Sequence, residues 1–160
     1  MKPMHELEGK NAPVFSMIDQ DGKTQSLDAY RGKWIVLFFY PKDMTPGCTV
    51  EVCSFRDATQ DLKDVGAVVL GVSGDTQSSH GKFASKHKLS FPLLVDTDNV
   101  MAKAYGSYGQ KKFMGRNYEG IYRNTYLINP DGVVQKVYQG VKPALHTQEV
   151  LSDLKTFQSG

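Results

Sequence analysis

Two continuous apolar segments, separated by an amphipathic stretch, restrict the possible folds of this chain more than any other feature. Residues 34–40 and 67–72 are rich in Val, Ile, Leu and Phe, which is typical of strands covered on both faces. Between them, apolar residues recur at spacings of three and four: Val52, Phe55, Ala58, Leu62 and Val65. This spacing predicts an amphipathic helix, and Gly66 suits its C-terminal cap. The sequence therefore predicts a strand, a helix and a second strand in succession.

The rest of the chain extends this alternation. The turn residues at 20–23 predict an N-terminal β-hairpin, and the sequence NPDG at 129–132 predicts a second hairpin. A helix is predicted at 76–89, although Gly81 weakens it. The remaining predicted elements are a strand at 93–95, a short helix at 100–105, strands at 125–128 and 133–138, and a terminal helix at 145–157.

This order of elements predicts an α/β protein and resembles a thioredoxin-like fold. We expect a central mixed β-sheet with helices on both faces and an N-terminal β-hairpin. At 160 residues, without an internal repeat or a linker-like segment, the chain is expected to form a single domain over residues 1–160.

Charge and apolar patterning exclude several classes of partner. The 19 Lys and Arg and 17 Asp and Glu give a net charge of +2 and are spread along the chain, so neither nucleic acid nor an anionic membrane is an expected partner. The longest apolar run, residues 34–40, is far shorter than the roughly 20 residues that span a bilayer. Because no secretory signal is recognisable at the start, we expect a cytoplasmic protein.

The two cysteines are the most informative residues for chemistry. They are too few for a secreted disulfide scaffold. Cys48 follows Thr-Pro-Gly where the first apolar strand leads into the amphipathic helix. Backbone N–H groups without intrahelical partners and the positive end of the helix dipole favour a thiolate at that position. Cys48 is therefore a candidate nucleophile.

A larger thiolate population adds only on the order of thirtyfold to a reaction rate. Fast attack on a peroxide O–O bond also requires donors placed around both oxygens, because negative charge develops on the departing oxygen. The hydroxyl of Thr45, the N–H groups near Gly47 and Cys48, and a guanidinium would supply those donors.

Cys53 follows Cys48 by five positions. On an intact helix this spacing places the side chains roughly 140° apart and the Cα atoms about 8 to 9 Å apart, whereas a disulfide requires Cα atoms within about 7 Å. If Cys53 reacts with an oxidised Cys48, the first helical turns must unwind. Cys53 is equally compatible with a small core residue. The spacing lacks the paired ligands of a structural zinc site.

Other groups of residues suggest no separate activity. Gly, Lys and Thr at 22–24 do not complete a phosphate-binding loop, because position 17 is Met. Four tyrosines are interpreted as packing residues: Tyr105, Tyr108, Tyr118 and Tyr122. Surface or capping roles are expected for four scattered histidines: His5, His80, His87 and His146.

Residues 39–51, FYPKDMTPGCTVE, resemble the active-site motif of the peroxiredoxins in the AhpC/TSA family. The resemblance is to the branch called PrxQ or bacterioferritin comigratory protein. It covers nearly the whole chain and continues through GVSGD at 71–75, LSFPLLVD at 89–96 and GIYRNTYLI at 120–128.

The resemblance implies a thiol-dependent peroxidase in which Cys48 is the peroxidatic cysteine. It would attack hydrogen peroxide or an organic hydroperoxide and become a sulfenic acid. Pro41 would shield the sulfur, Thr45 would hydrogen-bond the peroxide, Arg123 would orient and stabilise it, and Glu51 would hold the arginine in place.

The resemblance also implies how the enzyme is regenerated. Cys53 would condense with the sulfenic acid to an intramolecular disulfide, since residues 76–89, where some relatives carry the resolving thiol, contain no cysteine. Thioredoxin or glutaredoxin would reduce that disulfide. No metal, haem or flavin cofactor is implied, because the cysteine carries the redox change, and an intramolecular bridge suits a monomer.

Two other function classes stay open on sequence grounds. A thioredoxin-like disulfide oxidoreductase would be expected to carry Cys-x-x-Cys, whereas this chain has Cys-x4-Cys. A redox sensor or holdase could use the same cysteine chemistry, and a slow reaction with peroxide would distinguish it from a peroxidase.

Overall fold

The computed structural model describes residues 5–142 and 146–159 and centres on a five-stranded mixed sheet. Its strands, in spatial order, are β5 (Leu93–Val95), β4 (Ala67–Ser73), β3 (Trp34–Phe39), β8 (Thr125–Ile128) and β9 (Val134–Tyr138). The first three run parallel to one another, and β8 and β9 are antiparallel to their neighbours. The mixed sheet predicted from the sequence is confirmed.

Strand β3 is the centre of the molecule because its side chains enter both faces of the sheet. Residues 36–39 have no exposed surface. Successive side chains of a strand point to opposite faces, and alternate residues here belong to two separate buried clusters: Ile35, Leu37 and Phe39 in one, Val36, Phe38 and then Tyr40 in the other. A continuous apolar run is what such a doubly covered strand requires.

Helices cover both faces of this sheet. The α-helices within the described residues are α1 (Pro46–Asp64), α2 (Gln77–His87), α3 (Val100–Ala104) and α4 (His146–Ser159). α1, α2 and α4 pack on one face, where Phe55, Phe83 and Leu154 are buried. α3 and the N-terminal segment cover the other face through Met101 and Phe15. No helix among residues 5–142 and 146–159 is long and apolar enough to cross a membrane.

Helix α2 forms despite Gly81. Thr76 caps its start by accepting a hydrogen bond from the Ser79 N–H, and Lys88 ends it in the left-handed conformation with φ 53°. Burial of Phe83 against the sheet outweighs the roughly 1 kcal/mol that a glycine costs inside a helix. The terminal helix was predicted from residue 145, which lies outside the described residues.

Two hairpins flank the sheet, and the sequence predicted only one of them. β1 (Ser16–Ile18) pairs with β2 (Thr24–Ser26), as expected. The second, β6 (Tyr108–Phe113) with β7 (Arg116–Ile121), was missed because residues 108–121 are mostly polar and show no apolar alternation. Its turn uses positive φ at Met114 (51°) and Gly115 (78°), the geometry of a type I′ turn.

Candidate active site

The first turn of α1 places Cys48 at the edge of the sheet. Met44 has a positive φ of 67°, Thr45 is the N-cap residue with an extended backbone, and Pro46 begins the helix. The first helical hydrogen bond runs from the Thr49 N–H to the Thr45 carbonyl, 2.9 Å. The N–H groups of residues 47 and 48 therefore have no intrahelical partner. Cys48 itself is only 1% exposed.

Arg123 lies between β7 and β8 and bridges two side chains of α1. Its Nη2 donates to Cys48 Sγ at 3.4 Å, and its Nη1 donates to Glu51 Oε1 at 2.9 Å. Burial alone would lower the pKa of Arg123, but Cys48 and Glu51 together raise it above its usual value. The structure thus places Cys48, Glu51 and Arg123 together, although 72 residues separate Glu51 from Arg123 in the chain.

Glu51 lies one helical turn after Cys48, and its side chain is 1% exposed. Burial raises the pKa of Glu51 to about 7, and the neighbouring Arg123 only partly offsets this. Its Oε2 is buried and has no hydrogen-bond partner among the described residues. The ionised carboxylate is therefore costly to hold in this site, and Arg123 is the group that compensates it.

Thr45 and Pro41 lie in the loop that leads from β3 into α1. The Thr45 hydroxyl donates to the Lys42 carbonyl at 2.9 Å, so its hydrogen is not available as the donor to peroxide that the sequence predicted. Its lone pairs stay available to accept a hydrogen bond from a peroxide. Pro41 is half-buried at the start of the same loop. Its shielding of the sulfur stays a prediction.

Cys53 is half-buried within the uninterrupted helix α1, and both cysteines are free thiols. Because an intact helix separates residues five positions apart by about 8 to 9 Å between Cα atoms, the structure shows the helix in the state that has to unwind before Cys48 and Cys53 could bond.

The loop before Cys48 is anchored by a buried network that the sequence analysis did not identify. The Asp43 carboxylate accepts hydrogen bonds from the hydroxyls of Tyr40 (2.6 Å) and Ser79 (2.8 Å) and lies 2.7 Å from His80 Nδ1. His80 Nε2 lies 2.8 Å from the Leu94 carbonyl. The surface or capping role expected for His80 is wrong, since this side chain is completely buried. His80 ties α2 and β5 to the active-site loop.

His146 also departs from the expectation of a surface residue. It is 4% exposed, and its Nε2 lies 2.8 Å from the Thr125 hydroxyl. Burial lowers the pKa of His146, although Glu149 acts in the opposite direction. Periodicity cannot distinguish a buried histidine from an exposed one when its partners come from distant strands.

Within the described residues, one cluster has the spacing of a metal site: Asp43, Asp75 and His80, whose ligand atoms lie within 4.8 Å of one another. Those atoms are already engaged. Asp75 Oδ2 accepts from the Asp43 N–H (2.8 Å) and the Ser73 hydroxyl (2.6 Å), and Asp43 faces His80. The three side chains therefore form a polar network in which these hydrogen-bonding atoms already have partners within the protein.

Comparisons with known proteins place the chain in a family. A family model described as the AhpC/TSA family matches residues 9–137. Peroxiredoxin Bcp of Bacillus subtilis (strain 168) is 46% identical over 147 residues, which cover 92% of this chain and 94% of that protein. Peroxiredoxin Bcp of Escherichia coli (strain K12) is 43% identical over 147 residues, with the same coverage of 92% and 94%.

Solved structures show the same relationship. A structure of the Xanthomonas campestris bacterioferritin comigratory protein, reported in a study of its alkyl peroxide reduction activity, has a TM-score of 0.85 and 36% identity and covers 89% of this chain and 91% of that one. The chain therefore belongs to the AhpC/TSA family, as a thiol peroxidase of the peroxiredoxin branch that includes Bcp and peroxiredoxin Q.

Proposed function

We propose that Cys48 is the peroxidatic cysteine and that Arg123 and Thr45 hold the peroxide against it. The observation that carries this assignment is the Arg123 guanidinium, which reaches Cys48 Sγ with one nitrogen and Glu51 with the other. A cation in hydrogen-bond contact with sulfur favours the thiolate. The ion pair with Glu51 holds the Arg123 guanidinium in this orientation, which makes Glu51 a positioning residue.

The chemical step is a displacement at oxygen. The Cys48 thiolate attacks the nearer peroxide oxygen, an S–O bond forms, the O–O bond breaks, and the electron pair leaves with the far oxygen. That oxygen takes a proton and departs as water or an alcohol, so Cys48 is oxidised to a sulfenic acid and the peroxide is reduced.

Negative charge develops on the departing oxygen in the transition state and must be stabilised there. The site contains donors that can provide this stabilisation. The Arg123 guanidinium and the unpaired N–H groups at the start of α1 are held in place before the reaction, and preorganised donors of this kind supply most of the stabilisation in comparable reactions. Thr45 would accept the hydrogen bond of the peroxide O–H, because its own hydrogen is used by the Lys42 carbonyl.

Cys53 is proposed as the resolving thiol. It attacks the sulfenic sulfur, an S–S bond forms, and the sulfenic oxygen leaves as water after taking the Cys53 proton. Since α1 is intact in the structure, this step includes unwinding of its first turns. Pro41 is proposed to shield the sulfur in the folded state.

Peroxides are the substrates, and a thioredoxin-type protein is the reductant, as the family assignment implies. We extend this to hydrogen peroxide and organic hydroperoxides as the substrate range and to thioredoxin or glutaredoxin as the donor. The alkyl peroxide reduction reported for the Xanthomonas relative supports the organic substrates. An internal bridge supports a monomeric, single-domain enzyme, and the need for a reducing partner supports action in the cytoplasm.

Steady-state peroxide consumption with thioredoxin and its reductase tests the two cysteine assignments. We expect Cys48→Ser to abolish turnover and Cys53→Ser to consume one equivalent of peroxide per chain and then stop. Retained turnover in the Cys48 variant would remove it as the nucleophile, and sustained turnover in the Cys53 variant would show that resolution occurs elsewhere. A peroxide rate as slow as that of free cysteine would instead favour a sensor.

A further inference from the structure

Lys111 is a half-buried cation beside the active site that the mechanism above does not use. It lies on β6 in the hairpin that the sequence analysis missed, opposite Tyr118 of β7. Together with Arg123 it lines a cavity of about 510 Å³ whose wall also includes Tyr122. Two cations on one cavity wall are unfavourable to each other unless an anion is nearby.

The Lys111 side chain is held in one place by packing and by a hydrogen bond. Its Nζ donates to the Ile121 carbonyl at 2.9 Å, and Ile121 is two residues before Arg123. Its stem runs over Gly120, where an added Cβ would lie 3.2 Å from Lys111 Cδ. Nζ also lies 6.0 Å from the centre of the Tyr118 ring. The ammonium group therefore braces the segment that carries Arg123.

Lys111 is connected to the reacting sulfur through Arg123, since both cations line one cavity and Arg123 Nη2 lies 3.4 Å from Cys48 Sγ. Burial and Arg123 lower the pKa of Lys111, whereas Cys48 acts in the opposite direction. The rings of Tyr118 and Tyr122 also lie near Lys111, the first beneath its ammonium group and the second in the same cavity wall. The interaction between two charges is reciprocal. If the Cys48 thiolate stabilises the Lys111 ammonium group, the ammonium group stabilises the thiolate to the same extent.

We propose that Lys111 is a positioning residue of this enzyme, which braces Arg123 through the Ile121 carbonyl and supplies a second positive charge that favours the Cys48 thiolate. This proposal rests on the proposed role of Cys48 as the nucleophile. Lys111 does not touch the sulfur, so its effect reaches the reaction through Arg123 and through its electric field.

The test compares Lys111→Met with Lys112→Met, both in a Cys53→Ser background so that no disulfide forms. Lys112 is the adjacent residue on the same strand, and it is exposed, which makes it a matched control. Two quantities are measured: the pH midpoint of Cys48 alkylation by iodoacetamide, and the second-order rate constant for oxidation of Cys48 by hydrogen peroxide.

For Lys111→Met we expect the alkylation midpoint to rise by roughly 0.5 to 1 pH unit, as for loss of a unit charge from the half-buried cavity wall that Lys111 shares with Arg123. The peroxide rate constant at neutral pH should fall about three- to tenfold. Lys111→Arg should restore most of both values because it keeps the charge. Lys112→Met should match the parent.

Unchanged values in Lys111→Met, or equal changes in the Lys112 control, would overturn the proposal. A slower peroxide reaction with an unmoved alkylation midpoint would also overturn it, since that result indicates a purely structural effect. Alkylation needs no peroxide chemistry, so a midpoint shift in a protein whose parent fails to react with peroxide would refute the proposed function of Cys48 while supporting the charge effect of Lys111.

Discussion

At the scale of single residues, the site depends on one guanidinium that serves two partners. Arg123 reaches Cys48 and Glu51 with separate nitrogens, and a lysine could not make both contacts from one ammonium group in the same geometry. The position of Cys48 after Thr-Pro-Gly at a helix start predicted Cys48 and Thr45 as site residues, and the family resemblance added Glu51 and Arg123. Spacing alone could not bring residues 51 and 123 together, because their contact depends on how β3, α1 and β8 are arranged.

Arg123→Lys should therefore lower the rate constant for Cys48 oxidation by about 10²- to 10³-fold, the usual effect of losing a preorganised donor to a developing charge. Stopped-flow measurements with hydrogen peroxide would determine it. Arg116→Lys provides the matched control, since Arg116 is an exposed arginine on the nearby hairpin. Comparable rate losses in both variants would contradict the assignment of Arg123.

Glu51 should make stability depend on pH in a defined direction. Its pKa is about 7 in the folded protein and 4.5 as the ordinary value. A raised pKa means that Glu51 favours the folded state fully below pH 4.5, and that this contribution is lost as pH rises to about 7.

We therefore compare the free energy of unfolding of the wild type with that of Glu51→Gln. This difference should fall by about 3 kcal/mol between pH 4.5 and about pH 7 and change little at higher pH. Urea unfolding of both proteins at a series of pH values measures this difference. Curves that run parallel from pH 4.5 to pH 7 would show that the buried carboxylate does not titrate in this range.

At the scale of elements, the proposed resolution by Cys53 requires helix α1 to present Cys48 while folded and then to unwind its first turns. The loop before it is tied down by Asp43 and His80, so unwinding can begin after this anchor without moving β3. The sequence predicted α1 from its apolar periodicity and the need to unwind from the cysteine spacing. It missed the anchor and the β6–β7 hairpin, because buried polar contacts and polar strands leave no periodic apolar pattern.

Gly47→Ala should slow formation of the Cys48–Cys53 bridge. An added Cβ at residue 47 would make only an ordinary contact, 3.5 Å from Arg123 Nη2, while alanine stabilises a helix by roughly 0.5 to 1 kcal/mol over glycine. The rate of disulfide formation after one equivalent of peroxide, followed by rapid quenching and mass spectrometry, should fall about two- to fivefold.

The control for this prediction is Gly81→Ala in α2. An added Cβ there would have its nearest neighbour, the Gln20 carbonyl, at 4.0 Å, so α2 is stabilised without any effect on α1. Equal bridging rates in the wild type and in both variants would indicate that unwinding of the first turns does not limit the reaction.

At the scale of the whole molecule, the sheet brings together the side chains of one chain that the proposed cycle requires. β3 leads into the active-site loop, and β8 begins two residues after Arg123. The two strands pair antiparallel with Ile35 opposite Ile128. Both cysteines lie on one helix of one chain. The mixed sheet was predictable because β3 and β4 are continuously apolar, but the order of its strands was not predicted, and β7 was missed because it is almost entirely exposed.

The chain should accordingly remain a monomer in both redox states. Size-exclusion chromatography with light scattering should give the mass of one chain before and after treatment with peroxide, and non-reducing electrophoresis should show no crosslinked dimer. A disulfide-linked dimer in the oxidised sample would contradict an intramolecular bridge and would require Cys53 to act on a second copy.

Oxygen transfer to the Cys48 sulfur is the step on which the proposed activity depends, and intact mass after one equivalent of hydrogen peroxide tests it most directly. The wild type should lose two hydrogens, Cys53→Ser should gain one oxygen, and Cys48→Ser should keep its mass. An oxygen gained by Cys48→Ser, or an unchanged mass in Cys53→Ser, would contradict the assignment of this sulfur as the peroxide-reducing group.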